Sequence, residues 1–256
     1  MEKVILPGNA NYLGIDGCNF IQLSDIFHWD DLRHLKVCRI QSCDEMEWIG
    51  KDGEIVLPSL QKLCLYELHS FKGLCKENVH EETLKNLRKL CIVKCQKLKY
   101  LIPIDFLENN LKNLEEISIE DCYEMENIIS GDASAAITIL PNLKKLKLWN
   151  LPKLTSICPG KLACDSLREI QIIDCPKVTK LAFSINNVSP DGLRIIGSEE
   201  WWETSEWEDP QLKELLQPCF ESDELYIFSD MFREHVSWSD LLKEKMVNIG
   251  KLEYQA

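Results

Sequence analysis

"LEEISIEDCYEMENI" at Leu114–Ile128 and "LREIQIIDCPKVTKL" at Leu167–Leu181 place the same kinds of residue at the same spacing. In both stretches the first, fourth and sixth places are apolar, the ninth is Cys and the twelfth is apolar again. Apolar residues two apart lie on one side of a β-strand, so the fourth and sixth places face inward together. The pattern therefore predicts a repeated unit that contains one short strand.

Alignment on the ninth place finds seven such units. They begin 24 to 29 residues apart, at Ala10, Leu35, Leu60, Leu87, Leu114, Leu143 and Leu167. This period and this spacing are those of a leucine-rich repeat. One unit cannot bury its own apolar side, but stacked units pair their strands and share a core. The predicted fold class is an α/β solenoid, a leucine-rich-repeat horseshoe with a parallel inner sheet of about seven strands and an irregular or helical outer side.

The repeats divide the chain into four segments. Residues 1–9 are a lead-in too short to cap the first unit, so we expect the chain to be a piece of a longer product. Residues 10–196 form the array. Residues 197–220 carry three Trp among acidic residues, which predicts an amphipathic cap over the last unit. Residues 221–256 are a tail of unknown role, which we expect to be helical or disordered.

Cys occupies the ninth place in five of the seven units. These residues are Cys18, Cys43, Cys95, Cys122 and Cys175. At the turn after a strand, a thiol fills the interior and its weak S–H donor can serve a backbone carbonyl. No cysteine spacing fits a C-x-x-C zinc site, so we predict no metal and no cofactor.

The formal charge of −13 is concentrated at the end of the chain. Residues 199–256 contain 15 acidic and 5 basic residues, a net of −10, which leaves −3 for residues 1–198. A near-neutral body lacks the basic stripe of a nucleic-acid-binding protein, so we predict no nucleic-acid partner. The sequence shows neither an apolar run of about 18 residues nor a signal peptide, so we predict no membrane span and a cytoplasmic location.

Catalytic motifs are missing from the sequence. "GKD" at Gly50–Asp52 resembles the end of a phosphate loop, but Glu45 stands where its first Gly belongs and Asp52 replaces the Ser or Thr that would hold magnesium. There is no G-x-S-x-G elbow, and the five His are scattered. We predict that the chain is not an enzyme.

The residues that flank the inward pair point to the other side of the inner sheet, which we call the open face. Its charges change sign along the array, from lysines to glutamates to lysines. Such a surface selects a protein partner by charge complementarity. We therefore predict partner-binding residues at Arg39, Gln41, Lys62, Tyr66, Lys89, Glu116, Ser118, Glu120, Lys145, Lys147, Trp149, Glu169 and Gln171.

The units are of two interspersed kinds, one with Cys at the ninth place and one with Leu and a nearby Pro, as in "LKKLKLWNLPKLTSI" at Leu143–Ile157. Together with "IIGSEEWWETSEWED" at Ile195–Asp209, these units resemble the C-terminal leucine-rich region of plant intracellular immune receptors. The subgroup is the coiled-coil type of nucleotide-binding, leucine-rich-repeat disease resistance proteins. The resemblance covers about residues 10–220.

The resemblance implies a module that senses a pathogen effector or a guarded host protein. It also implies that the same region restrains a nucleotide switch, with the nucleotide-binding module as an intramolecular partner. That module and the coiled coil are absent from this sequence, so nucleotide binding is not transferred to these residues. The alternative is a substrate adaptor of a ubiquitin ligase or another stand-alone protein-binding scaffold.

Overall fold

Nine parallel strands, stacked in chain order, form most of the main sheet of the structure, which is a computed structural model. The structure describes residues 3–52, 57–77, 82–131, 137–184, 192–207, 210–225, 247–249 and 252–255. Within these ranges the main sheet has eleven strands, because two strands from the tail join it in antiparallel orientation. The predicted parallel solenoid is confirmed, and its parallel part is two strands longer than the seven units indicate.

The strands are β1 (Tyr12–Asp16), β2 (Val37–Gln41), β3 (Trp48–Asp52), β4 (Lys62–Tyr66), β5 (Gly73–Glu77), β6 (Lys89–Val93), β7 (Tyr100–Pro103), β8 (Glu116–Glu120), β9 (Asn127–Ser130), β10 (Ile137–Ile139), β11 (Lys145–Trp149), β12 (Lys161–Ala163), β13 (Glu169–Ile173), β14 (Lys180–Leu181), β15 (Phe183–Ser184), β16 (Arg194–Gly197), β17 (Glu206–Trp207), β18 (Phe220–Ser222), β19 (Val247–Ile249) and β20 (Leu252–Gln255). The α-helices are α1 (Ile104–Asn110), α2 (Glu199–Thr204) and α3 (Pro210–Leu216). Single 3-10 turns in the described ranges cover Leu23–Asp25, Trp29–Leu32, Gln217–Cys219 and Asp223–Leu225. The order in the main sheet is β18-β16-β13-β11-β8-β6-β4-β2-β1-β20-β19.

The core lies under one side of the main sheet and runs the length of the array. The fourth and sixth places of each unit supply it, as Ile117 and Ile119 of β8 show with 2% and 1% of their surface exposed. Their register partners Leu146 and Leu148 of β11 are equally buried. The inward orientation predicted from the alternation is confirmed, and burial of this continuous apolar stack is the main source of the fold's stability.

A residue with left-handed backbone conformation ends every one of the seven predicted strands at the eighth place. Their φ angles lie between 52° and 60°, at Gly17, Ser42, Glu67, Lys94, Asp121, Asn150 and Asp174. In the first six units this residue's N–H donates to the last strand carbonyl of the next unit, at 2.9–3.1 Å. Four of the seven places hold Gly, Asn or Asp, the residues that adopt this conformation most readily. The eighth place therefore carries a turn signal that the twelve-place pattern, defined on apolar residues and Cys, does not include.

The ninth-place cysteines lie under this turn, as predicted. Each donates its S–H to the carbonyl oxygen two residues earlier. The Sγ–O distance is 3.3 Å for Cys43, Cys122 and Cys175, and 3.6–3.8 Å for Cys18 and Cys95. Burial raises the pKa of Cys43 to about 11 and that of Cys175 to about 12, so both stay protonated at neutral pH. These thiols pack the interior.

A ladder of side-chain hydrogen bonds joins the turns that precede the strands. Asn113 Nδ2 donates to the carbonyl of Lys85 in the previous unit at 2.8 Å, and Asn142 Nδ2 donates to that of Lys112 at 2.9 Å. The same bond recurs one unit earlier from Asn86 and one unit later from the hydroxyl of Ser166. The ladder fixes how far one unit is displaced from the next.

The outer side of the solenoid consists mainly of short strands and turns. β3 pairs with β5, β7 with β9, and β12 lies between β10 and β15, all in parallel orientation. Within the described part of residues 10–196, α1 is the one α-helix on this side, and two 3-10 turns lie between β1 and β2. The predicted outer side, irregular or helical, therefore contains one short helix and a second layer of strand pairing.

The Trp-rich segment, residues 197–220, lies within the array of paired strands and not after it, as the expected domain boundaries had placed it. We expected the array to end at residue 196 and a cap to follow, but β18 pairs in parallel with β16, so the sheet continues past the segment. The segment therefore loops out between the eighth and ninth strands, as the returning half of a further unit. Neither β16 nor β18 matches the twelve-place pattern, so the count of seven units did not include them.

Two short pieces of the tail, which we expected to be helical or disordered, are strands. β20 pairs antiparallel with β1, and β19 pairs with β20. The reason is that the first strand of an open sheet presents unpaired N–H and C=O groups, which an extended segment can satisfy. Residues 226–246 of the tail lie outside the described residues.

Candidate functional site

The candidate site is the open face, where the strand register aligns the outward residues of seven units into three rows. The first row holds the third-place residues Tyr12, Val37, Lys62, Lys89, Glu116, Lys145 and Glu169. The second holds Gly14, Arg39, Cys64, Cys91, Ser118, Lys147 and Gln171, and the third holds Asp16, Gln41, Tyr66, Val93, Glu120, Trp149 and Ile173. All thirteen predicted residues lie on these rows. That they bind a partner stays a prediction.

The first row pairs charges between neighbouring strands. Lys89 Nζ lies 3.0 Å from Glu116 Oε2. The Glu116 side chain is only 10% exposed, so this carboxylate is held within the sheet surface and has little contact with solvent. The alternating charges that predict a partner-selecting surface are therefore partly neutralised by ion pairs within the protein itself.

A second charge network closes the C-terminal end of the open face. Glu169 accepts a hydrogen bond from Gln171 at 2.9 Å and lies 3.7 Å from Lys147 Nζ and 4.0 Å from Arg194 Nη1. Arg194 in turn donates two bonds of 3.0 Å to the carboxylate of Glu221. A bidentate arginine–carboxylate pair is geometrically specific, and here it joins β16 to the last strand, β18.

Arg194 and Glu221 were not among the predicted residues. They belong to the two strands that the repeat pattern did not find. The alternation of buried Leu193 and Ile195 around Arg194 is the signal that could have located the first of these strands. No comparable alternation marks Glu221, because it and its neighbours Phe220 and Ser222 are all half-buried.

Arg39 is fixed in place at the N-terminal end of the open face. Its Nη2 donates to Gln41 Oε1 at 2.6 Å, and its guanidinium carbon lies 4.9 Å from the centre of the Tyr66 ring. A guanidinium over an aromatic ring is attracted to the ring's negative face, so Arg39 and Tyr66 present one preformed planar surface. A rigid surface of this kind loses little side-chain entropy when a partner docks.

The remaining predicted residues are less constrained. Lys145 makes no ion pair within the described residues, and its side chain is half-buried between Glu116 and Glu169. Trp149 is half-buried at the other end of the same strand, next to the buried Ile173. The open face thus has a charged first row and a third row that becomes apolar toward Trp149.

Metal and membrane chemistry find no support in the described residues. No three His, Cys, Asp or Glu side chains in these ranges lie close enough together to share a metal ion. Every helix of the described ranges is too short or too polar to cross a bilayer. The open face itself is an extended, partly charged surface.

The family comparison agrees with this architecture. The model described as "Plant disease resistance protein RPS2-like, leucine-rich repeats" matches residues 8–123 and 59–187, which together cover more than half of the chain. The chain belongs to this family. The match to RPS2-like leucine-rich repeats includes seven strands of the main sheet, β1, β2, β4, β6, β8, β11 and β13, and it ends before β16.

Three relatives from Arabidopsis thaliana are similar over about a third of the chain. Disease resistance protein At4g27190 is 37% identical over 81 residues, which is 32% of this chain and 8% of that protein. Probable disease resistance protein At1g12290 is 37% identical over 90 residues, 33% of this chain and 10% of the relative. Putative disease resistance protein At5g05400 is 36% identical over 84 residues, again 33% and 10%. The matched part spans a tenth or less of each relative's length.

Proposed function

We propose that this chain is the protein-interaction module of a plant intracellular immune receptor of the coiled-coil, nucleotide-binding type. Its open face would sense a pathogen effector or a guarded host protein in the cytoplasm. Membership of the RPS2-like repeat family supports this proposal, because the named relatives are disease resistance proteins. The observation that carries it is the uninterrupted open face of nine parallel strands.

The size of this face fits a protein partner. Paired strands lie about 4.8 Å apart, so nine strands give a surface roughly 40 Å long. A typical specific interface needs about 800 Å² from each partner, which such a surface can supply. The fixed Arg39–Tyr66 pair and Trp149 are residue types that often contribute most to binding energy. Lys62 and Lys145 add positive charge along the first row, which favours an acidic patch on the partner.

The same module would restrain a nucleotide switch that this chain does not contain. Restraint of this kind is an equilibrium between a closed form, in which the repeats contact the switch, and a released form. A partner activates such a receptor only if it binds the released form more tightly than the closed form. The open face would then be a surface for which the switch and the sensed protein compete.

The gene that encodes this chain provides the first test. A phosphate loop with the spacing G-x-x-x-x-G-K-[ST] encoded upstream of Met1 would support the receptor. An F-box-like helical segment at that position would instead favour the ubiquitin-ligase adaptor and overturn the proposal.

A second test measures the restraint directly. The full-length product is loaded with a fluorescent ADP analogue, and the rate of nucleotide release is compared with that of the same product lacking residues 10–222. We expect faster release without the repeats. Lys145→Ala should also raise the rate, whereas Lys112→Ala, an exposed lysine in the turn before β8, should not. Equal rates for the complete and shortened products would contradict the restraint.

A further inference from the structure

Two cysteines face each other on the open face, in the middle row of the third and fourth units. Cys64 of β4 and Cys91 of β6 are register partners, and both are free thiols. Paired strands bring such residues to a Cα separation of about 4.8 Å. This value lies within the range of roughly 4.4–6.8 Å over which two cysteines can form a disulfide. The Cα separation therefore permits a disulfide between the two residues.

The other described cysteines of the array are placed differently. Cys38 faces the core, and the ninth-place cysteines donate to backbone carbonyls beneath the turns. Cys95 and Cys122 provide the closest comparison, because they lie in neighbouring units and interact with each other. Both, however, have no exposed surface. Cys91 is half-buried and Cys64 is 5% exposed, so this pair, unlike Cys95 and Cys122, has some exposed surface on the open face.

Cationic and hydroxyl groups surround the two thiols. Arg39 is the register partner of Cys64 on the other side, and Lys62 precedes Cys64 by two residues on the same face. Cys91 Sγ lies 3.8 Å from the hydroxyl of Tyr66. A hydrogen bond from Cys91, helped by Lys62, Tyr66 and Arg39, lowers the pKa of Cys64 to about 7 against the opposing effect of burial. The pKa of Cys91 is raised well above its usual value, chiefly by the same hydrogen bond.

This arrangement divides two roles between the two thiols. Cys64 is the thiol of the pair that ionises more readily, and a thiol whose pKa is near the ambient pH is the most effective attacking group. Cys91 is a protonated thiol held beside it, in the position of a resolving cysteine. We infer that Cys64 and Cys91 form an oxidation site for hydrogen peroxide on the open face, which closes to a disulfide between β4 and β6.

The reaction needs peroxide as its only co-reactant. The Cys64 thiolate attacks one peroxide oxygen, the O–O bond breaks, and the departing hydroxide takes a proton to become water. Cys64 is then a sulfenic acid. The Cys91 sulfur attacks the Cys64 sulfur, the S–O bond breaks, and the leaving hydroxide takes the Cys91 proton. In sum two thiols are oxidised to one disulfide, and one hydrogen peroxide is reduced to two waters.

The inference does not rest on the proposed function, because the thiol pair would react whether or not the open face binds a partner. Its consequence for the open face is local. The disulfide ties the third and fourth units covalently, and it changes the contact between Cys91 Sγ and the hydroxyl of Tyr66, the residue whose ring lies under the Arg39 guanidinium.

The test is peroxide titration of the complete folded chain, followed by alkylation of the remaining thiols and tryptic digestion. Trypsin releases Cys64 in residues 63–72 and Cys91 in residues 90–94, each as the peptide's single cysteine. At one equivalent of peroxide we expect these two peptides, joined, to be the main oxidised product. A linked pair formed from Cys95 and Cys122 should be at least tenfold less abundant, because those thiols have no exposed surface.

Single substitutions separate the two roles. Cys91→Ser should leave Cys64 as a sulfenic acid that dimedone traps, whereas Cys64→Ser should leave Cys91 reduced. The rate of oxidation should be about tenfold lower at pH 6 than at pH 8, following the thiolate fraction of a group with pKa about 7. Thermal unfolding of both variants checks that the array is intact. Oxidation spread evenly over all cysteines, or a main product that links two molecules, would overturn the inference.

Discussion

Trp201 lies directly on Gly197, so closely that a Cβ atom at position 197 would be 2.7 Å from the indole Cε3 atom. The same Cβ would lie 2.8 Å from the carbonyl oxygen of Ile172. Trp201 is held from its other side as well, because its Nε1 donates to the carbonyl of Val178 at 2.9 Å. Residue 197 must therefore be Gly for α2 to pack against the last units.

Gly197→Ala should accordingly destabilise the protein by about 1–3 kcal/mol, the usual cost of overpacking a close contact. Urea unfolding followed by tryptophan fluorescence measures the loss. Gly192→Ala is the matched control, because its added Cβ would be 3.7 Å from the nearest atom, in Arg168, and meet no clash. Equal stability of the two variants would show that Trp201 moves aside at little cost.

Charge placed in the core should unfold the array, whereas charge on the open face of the same strand should be tolerated. Ile117→Asp buries a carboxylate without a partner, which costs several kcal/mol. Ser118→Asp faces the other way, beside Lys147 of β11, and should change stability by less than about 1 kcal/mol. Circular dichroism melting compares the two. A cooperatively folded Ile117→Asp variant would contradict the inward assignment.

The partly buried pair of Lys147 and Glu169 should contribute more than an exposed pair. Their side chains are 17% and 13% exposed, whereas those of Lys153 and Glu124 are 48% and 43% exposed. Double-mutant cycles with Lys→Ala and Glu→Gln should give a coupling of about 1 kcal/mol for the first pair and below about 0.5 kcal/mol for the second. Since Lys147 has this structural role, Lys145 is the better position for testing partner binding. Equal couplings would mean that burial does not strengthen the Lys147 contact.

The side-chain ladder between units should be measurable at one position. Asn113→Ala removes the donor to the carbonyl of Lys85 and should cost about 0.5–1.5 kcal/mol. Asn113→Ser should cost less, because Ser166 makes the same contact elsewhere in the ladder. Guanidinium unfolding of the three proteins gives the ranking. Identical midpoints for all three would show that water replaces the bond fully.

The tail should protect the edge of β1. Removing residues 247–256 exposes the N–H and C=O groups that β20 pairs, and exposed strand edges promote association between chains. Light scattering after gel filtration should show more concentration-dependent oligomer. Glu253→Pro in the full chain should act in the same direction, because proline cannot donate in the middle of a strand. A shortened chain that remains monomeric at high concentration would refute the protective role.

The repeat could be predicted from the sequence because its geometry depends on residues that are close together along the chain. Ile117 and Ile119 are two residues apart, so an extended backbone must turn them to the same side, and Cys122 follows at a fixed distance because the turn between them is fixed. The same reasoning placed all thirteen predicted residues on the open face. It failed for β16 and β18, whose residues do not follow the twelve-place pattern, and for β19 and β20, which join the sheet at the other end of the chain.

The residue pattern was sufficient to establish the solenoid: seven strands in chain order, an apolar side shared by stacked units, and cysteines beneath the turns. The folded structure was needed to show which outward charges are used internally, such as Lys147 with Glu169, and that Cys64 meets Cys91. The physical reason is that alternation along one strand fixes the side to which a residue points. What it meets there depends on the register between strands about 25 residues apart, and that register is set by the packing of the whole core.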